Sequence, residues 1–201
     1  MMSFEIDISN RQKAVAVDCT ALREAILQAL QIEQIASAVL SVSIVDNAAI
    51  HTINRNHLQH DFPTDVISFQ LGFEPADDAV GDDSDDDLSH SAELPSLTCS
   101  SHSPAAASSS AAASALRAAG AAIEGEIIAS AETAADMASD GQWSTQDELT
   151  LYIIHGLLHI CGYDDLTPEE QSIMRTRERT ILSATGRHPV YAEDPETLTP
   201  P

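Results

Sequence analysis

The stretch HGLLHICGYDD, residues 155–165, constrains the fold more than any other segment of this 201-residue chain. It continues an apolar helical run, so His155 and His159, four residues apart, point from one face of the helix. Gly162 ends the helix and lets the backbone turn back, which brings Asp165 toward the two imidazoles. Two histidines and one carboxylate form a known catalytic zinc set that leaves a position open for water. The spacing therefore predicts a metal site built from His155, His159 and Asp165.

A chance pair of surface histidines is the simplest alternative to a metal site. The helix predicted over residues 145–161 is otherwise apolar, however, and imidazoles within it are costly unless something satisfies them. The frame H-x-x-x-H-x-x-G-x-x-D also matches the metzincin spacing, in which a glycine turn delivers the last ligand. Metzincins carry a glutamate as general base directly after the first histidine, where this chain has Gly156. Because mid-helix glycine costs about 1 kcal/mol relative to alanine, either a substrate or backbone approaches closely there, or the helix packs tightly against a sheet.

The chain is strongly acidic, with 32 Asp and Glu residues against 9 Lys and Arg and a formal net charge of −23. Such a charge repels polyanions and counts against simple binding to a phosphate backbone. The three cysteines, Cys19, Cys99 and Cys161, match no disulfide or Cys-x-x-Cys pattern, which predicts free thiols in a reducing compartment. The N-terminus has no signal-peptide pattern, and the longest mainly apolar run, residues 35–45, is too short to span a bilayer. We therefore expect a cytoplasmic protein that is not a membrane protein.

Hydrophobic periodicity predicts a chain of mixed strands and helices. The predicted strands are 3–8, 37–45, 65–73 and 124–130, and the predicted helices are 18–33, 47–58, 131–138, 145–161 and 167–184. Since the elements do not alternate strictly, one α+β or α/β domain with a four-stranded sheet fits, over residues 1–186. Residues 74–122 are acidic and then Ser- and Ala-rich without apolar periodicity, which predicts a disordered insertion in this domain. Residues 187–201 contain four prolines, which predicts a loose tail.

Three separated motifs resemble those of the YbeY family of metal-dependent endoribonucleases and ribosomal-RNA maturation factors. HGLLHICGYDD is similar to that family's H-G-x-L-H-L-x-G-Y-D-H signature. PTDVISF, residues 63–69, is similar to its P-T-D-V-L-S-F segment, and GEIIAS, residues 125–130, to its G-D-I-V-I-S strand. Asn54 also falls where the family has an asparagine. The resemblance covers residues 3–73 and 123–184.

The resemblance implies an α+β fold in which the histidine helix lies over a small sheet. It implies one bound Zn2+ and a single-strand endoribonuclease that trims ribosomal RNA, particularly the 3′ end of the small-subunit RNA, and acts in ribosome quality control. The partners would then be ribosomal RNA, the small ribosomal subunit, and ribosomal or assembly proteins.

Two residues depart from the family pattern. The third ligand is usually histidine, whereas Asp165 here lowers the charge of the site by one, weakens the ion as a Lewis acid and widens the candidate metals to Fe2+ or Mn2+. Asp164 could compete for the ion, although the spacing favours Asp165. Leu58 stands where the family commonly has an arginine, which removes a candidate for phosphate contact or charge stabilisation. The residues that could compensate are Arg55, His57 and His60.

No sequence feature identifies the general base. Asp65 follows a Pro-Thr turn and could serve the chemistry, or could equally cap or brace a strand. The candidate RNA-facing cations are Arg55, Arg175, Arg177 and Arg179. Because these are few, we hypothesise that the ribosome or another protein places the RNA. Besides the endoribonuclease, two alternatives remain: a ribosome-associated assembly factor with a mainly structural metal, and, on spacing alone, a metallopeptidase.

Overall fold

Four strands and five helices form the part of the chain that the computed structural model describes, which is residues 2–57, 64–76, 116–141, 143–189 and 191. The strands are β1 (Ser3–Asn10), β2 (Ser37–Val45), β3 (Val66–Glu74) and β4 (Ala122–Ser130). The helices are α1 (Cys19–Ile32), α2 (Asn47–His57), α3 (Ala131–Gly141), α4 (Thr145–Ile160) and α5 (Pro168–Ala184). Every predicted element is present, and the α+β architecture with a four-stranded sheet is confirmed.

The sheet is mixed, with strand order β1-β2-β4-β3. Strands β1, β2 and β4 are parallel, and β3 lies antiparallel to β4 at one edge. Because successive side chains of a strand point to opposite faces, Ile127 belongs to the main core and Ile128 to a second, smaller core. Helices α1, α4 and α5 contribute to the main core, whereas α2 contributes Ile50 to the smaller one. The sheet thereby supports α4, the helix that carries the two histidines.

Local capping explains where three of the helices begin. The Asp18 carboxylate accepts hydrogen bonds from the backbone N–H groups of the first turn of α1. The Ser144 hydroxyl oxygen accepts from the Asp147 backbone N–H at the start of α4. Thr167 and Glu170 form a reciprocal capping box before α5. These short-range contacts are the reason that the sequence pattern located the helix starts to within a residue or two.

Gly156 lies where α4 packs directly on the sheet. A Cβ atom at this position would be 3.2 Å from Ile127 Cγ2 and 3.3 Å from Val66 Cγ2. This agrees with the interpretation of Gly156 as tight packing against the sheet. A side chain at position 156 would point at the strands and not toward His155 and His159, so it could not supply a metzincin-type base. Position 156 thus gives the metallopeptidase hypothesis no support, and that hypothesis would need Asp65 or another acid as its base.

Gly125 of β4 is the position at which we expect a single methyl group to disturb this packing most. A Cβ atom there would lie 2.9 Å from the Phe69 backbone oxygen and 2.6 Å from Ile160 Cδ1. We expect Gly125→Ala to lower the free energy of unfolding by about 1–3 kcal/mol, measured by urea denaturation. The control is Gly72→Ala on the neighbouring strand, where the new Cβ would be 3.3 Å from Glu124 Cβ. Equal stability of the two variants would contradict this account.

Residues at the margins of the predicted insertion and at the start of the predicted tail belong to the folded domain. Of the predicted insertion 74–122, residues 77–115 lie outside the described residues. Glu74 ends β3, and Ala118 and Ala121 are each 1% exposed in the main core, so both margins belong to the folded domain. In the predicted loose tail, Arg187 Nε donates to Asp147 Oδ1 at 2.8 Å, and Pro189 is buried. The start of that segment therefore contacts the domain.

Two further features of the described residues bear on the sequence analysis. Cys19 and Cys161 are free thiols, and burial, followed by the charge of Glu33, raises the pKa of Cys161 to about 12. Cys99 lies outside the described residues.

None of the helices in the described ranges combines the length and apolar character that crossing a bilayer requires.

Candidate metal centre

His155, His159 and Asp165 meet at one point on the surface of α4. The two Nε2 atoms are 3.0 Å apart. Asp165 Oδ2 lies 3.8 Å from His155 Nε2, and Asp165 Oδ1 lies 3.9 Å from His159 Nε2. Within the described residues these three form a group able to hold a metal ion. The helix supplies two candidate ligands at i and i+4, and the turn after it supplies the third.

These distances fit one small cation. Ligand atoms bound tetrahedrally to zinc at about 2.0–2.2 Å lie about 3.3 Å from one another, and the observed separations of 3.0, 3.8 and 3.9 Å bracket that value. The side chains of the three residues are about a quarter to two fifths exposed. An ion held there would be open to solvent on one side, as a catalytic site requires.

The outer nitrogen of each imidazole has a fixed partner. His159 Nδ1 lies 3.0 Å from the Tyr163 carbonyl oxygen, which only accepts, so Nδ1 carries the proton. His155 Nδ1 lies 2.7 Å from Glu178 Oε1 and donates to that carboxylate. The Nε2 lone pair of each neutral ring therefore faces the other, a contact that only a cation or a proton between them makes favourable. This is the arrangement expected of two metal-binding histidines.

The electrostatic environment of His155 is anionic. Burial is the largest single influence and lowers the pKa of His155, whereas the hydrogen bond and the negative charge of Glu178 raise it. Asp165 and Asp65 act in the same direction, so the pKa lies above the ordinary value for histidine. A site that favours a proton on this ring through nearby carboxylates also favours a divalent cation.

The turn that carries Asp165 is anchored at several points. Gly162 has φ +86°, the left-handed region, and the Tyr163 N–H donates to the Leu158 carbonyl at 3.0 Å, which closes the helix end. Gln70 donates to the Ile160 carbonyl and Arg117 to the Gly162 carbonyl, each at 2.8 Å. These bonds hold the backbone on both sides of the turn, so the Asp165 carboxylate lies close to His155 and His159.

Asp164, the alternative third ligand, has a different contact. Its Oδ1 accepts the Asp165 backbone N–H at 2.8 Å. Asp164 thus braces the turn, while the neighbouring carboxylate of Asp165 lies with the two histidines. The structure groups Asp165 with the imidazoles, as the spacing favoured.

A buried ion pair lies behind the turn. Arg177 Nε and Nη2 both donate to Glu33 Oε1, at 2.9 and 2.5 Å, and Tyr163 donates its hydroxyl to Glu33 Oε2 at 2.8 Å. Glu33 is 0% exposed and Arg177 8%. Burial, followed by the charge of Glu33, raises the pKa of Tyr163 to about 12, so its hydroxyl remains a donor. Tyr163, whose carbonyl orients His159, is therefore held at its hydroxyl by Glu33 and at its backbone N–H by the Leu158 carbonyl.

The arginines that the sequence offered as RNA contacts have different surroundings. Arg177 is not RNA-facing, because it is buried against Glu33. Arg175 and Arg179 are half-buried and lie over the Tyr191 ring, with guanidinium carbons 5.1 and 4.7 Å from its centroid. Arg55 is exposed on α2. Leu58 and His60 lie outside the described residues.

A cavity of about 230 Å3 opens beside the metal group. Its lining includes Asp65, Tyr152, His155, Asp165, Arg175 and Tyr191. Asp65 Oδ1 accepts from the Thr64 hydroxyl and from the Val66 N–H, at 2.9 and 2.8 Å. Asp65 therefore braces the start of β3 and also faces the site, so both interpretations of this residue find support.

Sequence reasoning missed Glu178 and Tyr191. Glu178 is only 3% exposed and lies on the buried stripe of α5 together with Met174, Ile181 and Leu182. A carboxylate on an apolar helix stripe was the available signal, since such a charge needs a buried partner. For Tyr191, which lies in a Pro-containing segment without periodicity, the sequence offered no comparable signal.

A family model described as Endoribonuclease YbeY matches residues 7–186. Endoribonuclease YbeY of Rhodopirellula baltica is 33% identical over 169 residues, which are 83% of this chain and 64% of that protein, slightly under two thirds of its length. Endoribonuclease YbeY of Carboxydothermus hydrogenoformans is 32% identical over 183 residues, covering 90% of this chain and 96% of that protein. The Bacillus subtilis protein of the same name is 32% identical over 189 residues, covering 92% and 98%.

Proposed function

The chain belongs to the endoribonuclease YbeY family, and from that premise we propose that it is a metal-dependent endoribonuclease acting in ribosomal-RNA processing. We propose single-stranded RNA at the 3′ end of the small-subunit RNA as the substrate and ribosome quality control as the setting. The partners are then ribosomal RNA, the small subunit, and ribosomal or assembly proteins in the cytoplasm. The observation that carries the proposal is the group of His155, His159 and Asp165 beside an open cavity.

We assign the metal ligands to His155, His159 and Asp165, with one Zn2+ as the first candidate and Fe2+ or Mn2+ as alternatives. When bound, such an ion supplies Lewis-acid stabilisation of phosphate charge and lowers the pKa of water. The protein's part is to hold the imidazoles as Nδ1–H tautomers through Glu178 and the Tyr163 carbonyl. The aspartate in place of the family's usual third histidine reduces the charge of the site and favours harder cations than three histidines would.

Asp65 is our candidate for the group that accepts the proton of the attacking water. It lines the same cavity as His155 and Asp165, and its Oδ1 is fixed by two hydrogen bonds at the start of β3. In the hydrolysis step the water oxygen bonds to phosphorus, the bond from phosphorus to the leaving oxygen breaks, the water proton passes to Asp65, and the leaving oxygen takes a proton from solvent. Arg175, which lines the same cavity, is our candidate for the contact to a phosphate oxygen.

The substitution Asp65→Asn separates catalysis from bracing, because the amide oxygen still accepts the two bonds at the start of β3. We expect cleavage of single-stranded RNA by the metal-loaded chain to fall by about 100-fold or more, while metal content and unfolding temperature stay unchanged. The measurement is cleavage of a labelled RNA before and after chelation, and after metal is restored. The control is Asp18→Asn, the same change at a helix-capping carboxylate that does not line the cavity.

The same assay decides between nuclease and assembly factor. If the metal-loaded wild type cleaves neither free RNA nor RNA within small subunits, the proposed activity is wrong and a binding role with a structural metal takes its place. Cleavage restricted to RNA within the subunit would support the idea that a partner places the substrate, consistent with the net charge of −23. Cleavage by Asp65→Asn at the wild-type rate would remove Asp65 from the mechanism.

A further inference from the structure

Glu178 is a buried carboxylate of α5 whose two oxygens both have partners near the proposed metal ligands. Its side chain is 4% exposed. Oε1 accepts the His155 Nδ1–H at 2.7 Å, and Oε2 accepts the hydroxyl hydrogen of Tyr191. Burying a carboxylate is costly unless it is hydrogen-bonded and faces positive charge. An imidazole that binds a metal through its other nitrogen meets both requirements.

Tyr191 reaches Glu178 from the segment that follows α5. Its ring lies beside the guanidinium groups of Arg175 and Arg179 on the same helix, at 5.1 and 4.7 Å from the ring centroid. Upstream, Arg187 is tied to Asp147 at the start of α4 by a bond of 2.8 Å. Arg187 and Tyr191 are thereby held on the domain, and Tyr191 brings a phenol hydroxyl to the Glu178 carboxylate.

The two proposed histidine ligands are supported in different ways. His159 is oriented by a backbone carbonyl, that of Tyr163, which no side-chain substitution removes directly. His155 is oriented by a side chain, Glu178, which in turn is contacted by Tyr191. A carboxylate on the outer nitrogen of a metal-binding imidazole fixes the ring and increases its basicity. The position and donor strength of His155 therefore depend on residues outside the HGLLHICGYDD segment.

We propose that Glu178 is a positioning residue for the metal centre, that Tyr191 fixes its carboxylate, and that metal affinity consequently depends on a residue beyond the end of α5. This inference rests on the proposed metal site of His155, His159 and Asp165. It assigns to Glu178 of α5 and to Tyr191 a part in metal binding that the histidine motif alone does not contain.

The test measures metal affinity of the full chain by competition with a chromophoric chelator, using Zn2+ and Co2+ separately. We expect Glu178→Ala to weaken binding by about 10- to 100-fold. Glu178→Gln keeps an oxygen that accepts the His155 N–H but loses the charge, so we expect a smaller loss. Tyr191→Phe, which removes only the hydroxyl, should weaken metal binding by about threefold to tenfold. The matched control is Glu169→Gln, on an exposed position of the same helix.

The visible absorption bands of the Co2+-loaded protein provide a readout that a purely structural role would not change. We expect these bands to shift in Glu178→Gln and Glu178→Ala and to match wild type in Glu169→Gln, because only the first two alter the donor strength of His155. Unfolding temperatures of the metal-free proteins separate lost affinity from lost folding. If Glu178→Ala does not fold, Glu178→Gln and Tyr191→Phe decide the question.

Wild-type affinity and unchanged Co2+ bands in Glu178→Gln and Tyr191→Phe would overturn this inference while leaving the metal site intact. Absence of metal binding by the wild-type chain would instead overturn the proposed site itself, and the inference with it. The two failures are thus distinguishable in one titration series.

Discussion

Purified without a metal-binding tag, the wild-type chain is expected to contain close to one equivalent of metal, and His159→Ala and Asp165→Ala are each expected to lose it. Each substitution removes one of the three grouped ligand atoms, which are 3.0 to 3.9 Å apart. Loss of a direct ligand should exceed the effect of losing an outer partner, so we expect affinity to fall by at least about 100-fold. Elemental analysis after zinc loading gives the stoichiometry.

The control for this prediction is Asp164→Asn. Asp164 is adjacent in sequence, but its Oδ1 accepts the Asp165 backbone N–H at 2.8 Å, and an asparagine oxygen would preserve that bond. We expect this variant to keep its metal. A wild-type chain that stays empty after zinc loading, or an Asp165→Ala variant that remains fully loaded, would show that the motif does not form the site proposed here.

The second large effect is expected from Arg177→Ala, which leaves the Glu33 carboxylate in the core without its cationic partner. Glu33 is 0% exposed and receives two bonds from Arg177, at 2.9 and 2.5 Å. Removing one partner of a buried ion pair typically costs about 3–5 kcal/mol. We therefore expect urea denaturation to show a decrease of that size in the free energy of unfolding. The turn after α4 should also be less stable, because Tyr163 of that turn donates to the same carboxylate.

Two further variants define the origin of that loss. Arg55→Ala removes an exposed arginine from α2 and should change the free energy of unfolding by less than about 0.5 kcal/mol. The double variant Glu33→Leu with Arg177→Met replaces the pair by apolar side chains and should recover much of the stability. A loss below about 1 kcal/mol in Arg177→Ala would mean that the pair is hydrated, as surface pairs are.

The elements of the fold could be predicted because the signals for them are local. Alternation over residues 3–8 identifies β1, and the apolar stripe with Asp18 at its start identifies α1. Gly162 and Asp165 follow α4 so closely that the turn geometry itself brings the third candidate ligand back to the helix. The family resemblance rested on the same kind of short, contiguous motif.

The partners of the site could not be predicted in this way. Glu33 and Arg177 are 144 positions apart, and His155 and Glu178 are 23 apart, so no periodicity links them. Arg177 shows the consequence, because its charge suggested an RNA contact whereas packing of α1 against α5 buries it. Ala118 and Ala121 are a second example. Their Ala-rich surroundings predicted an insertion outside the domain, whereas tertiary packing buries both side chains in the main core.

The sequence by itself determined the strands, the helices and the grouping of the candidate ligands His155, His159 and Asp165, because capping, turns and i to i+4 spacing act within a few residues. Only the tertiary structure decided that Gly156 packs on the sheet, that Glu178 holds His155, and that Tyr191 comes to Glu178. The physical reason is that a buried charge or a close backbone contact is satisfied by whichever group the folded chain brings within about 3 Å, and that neighbour need not be near in sequence.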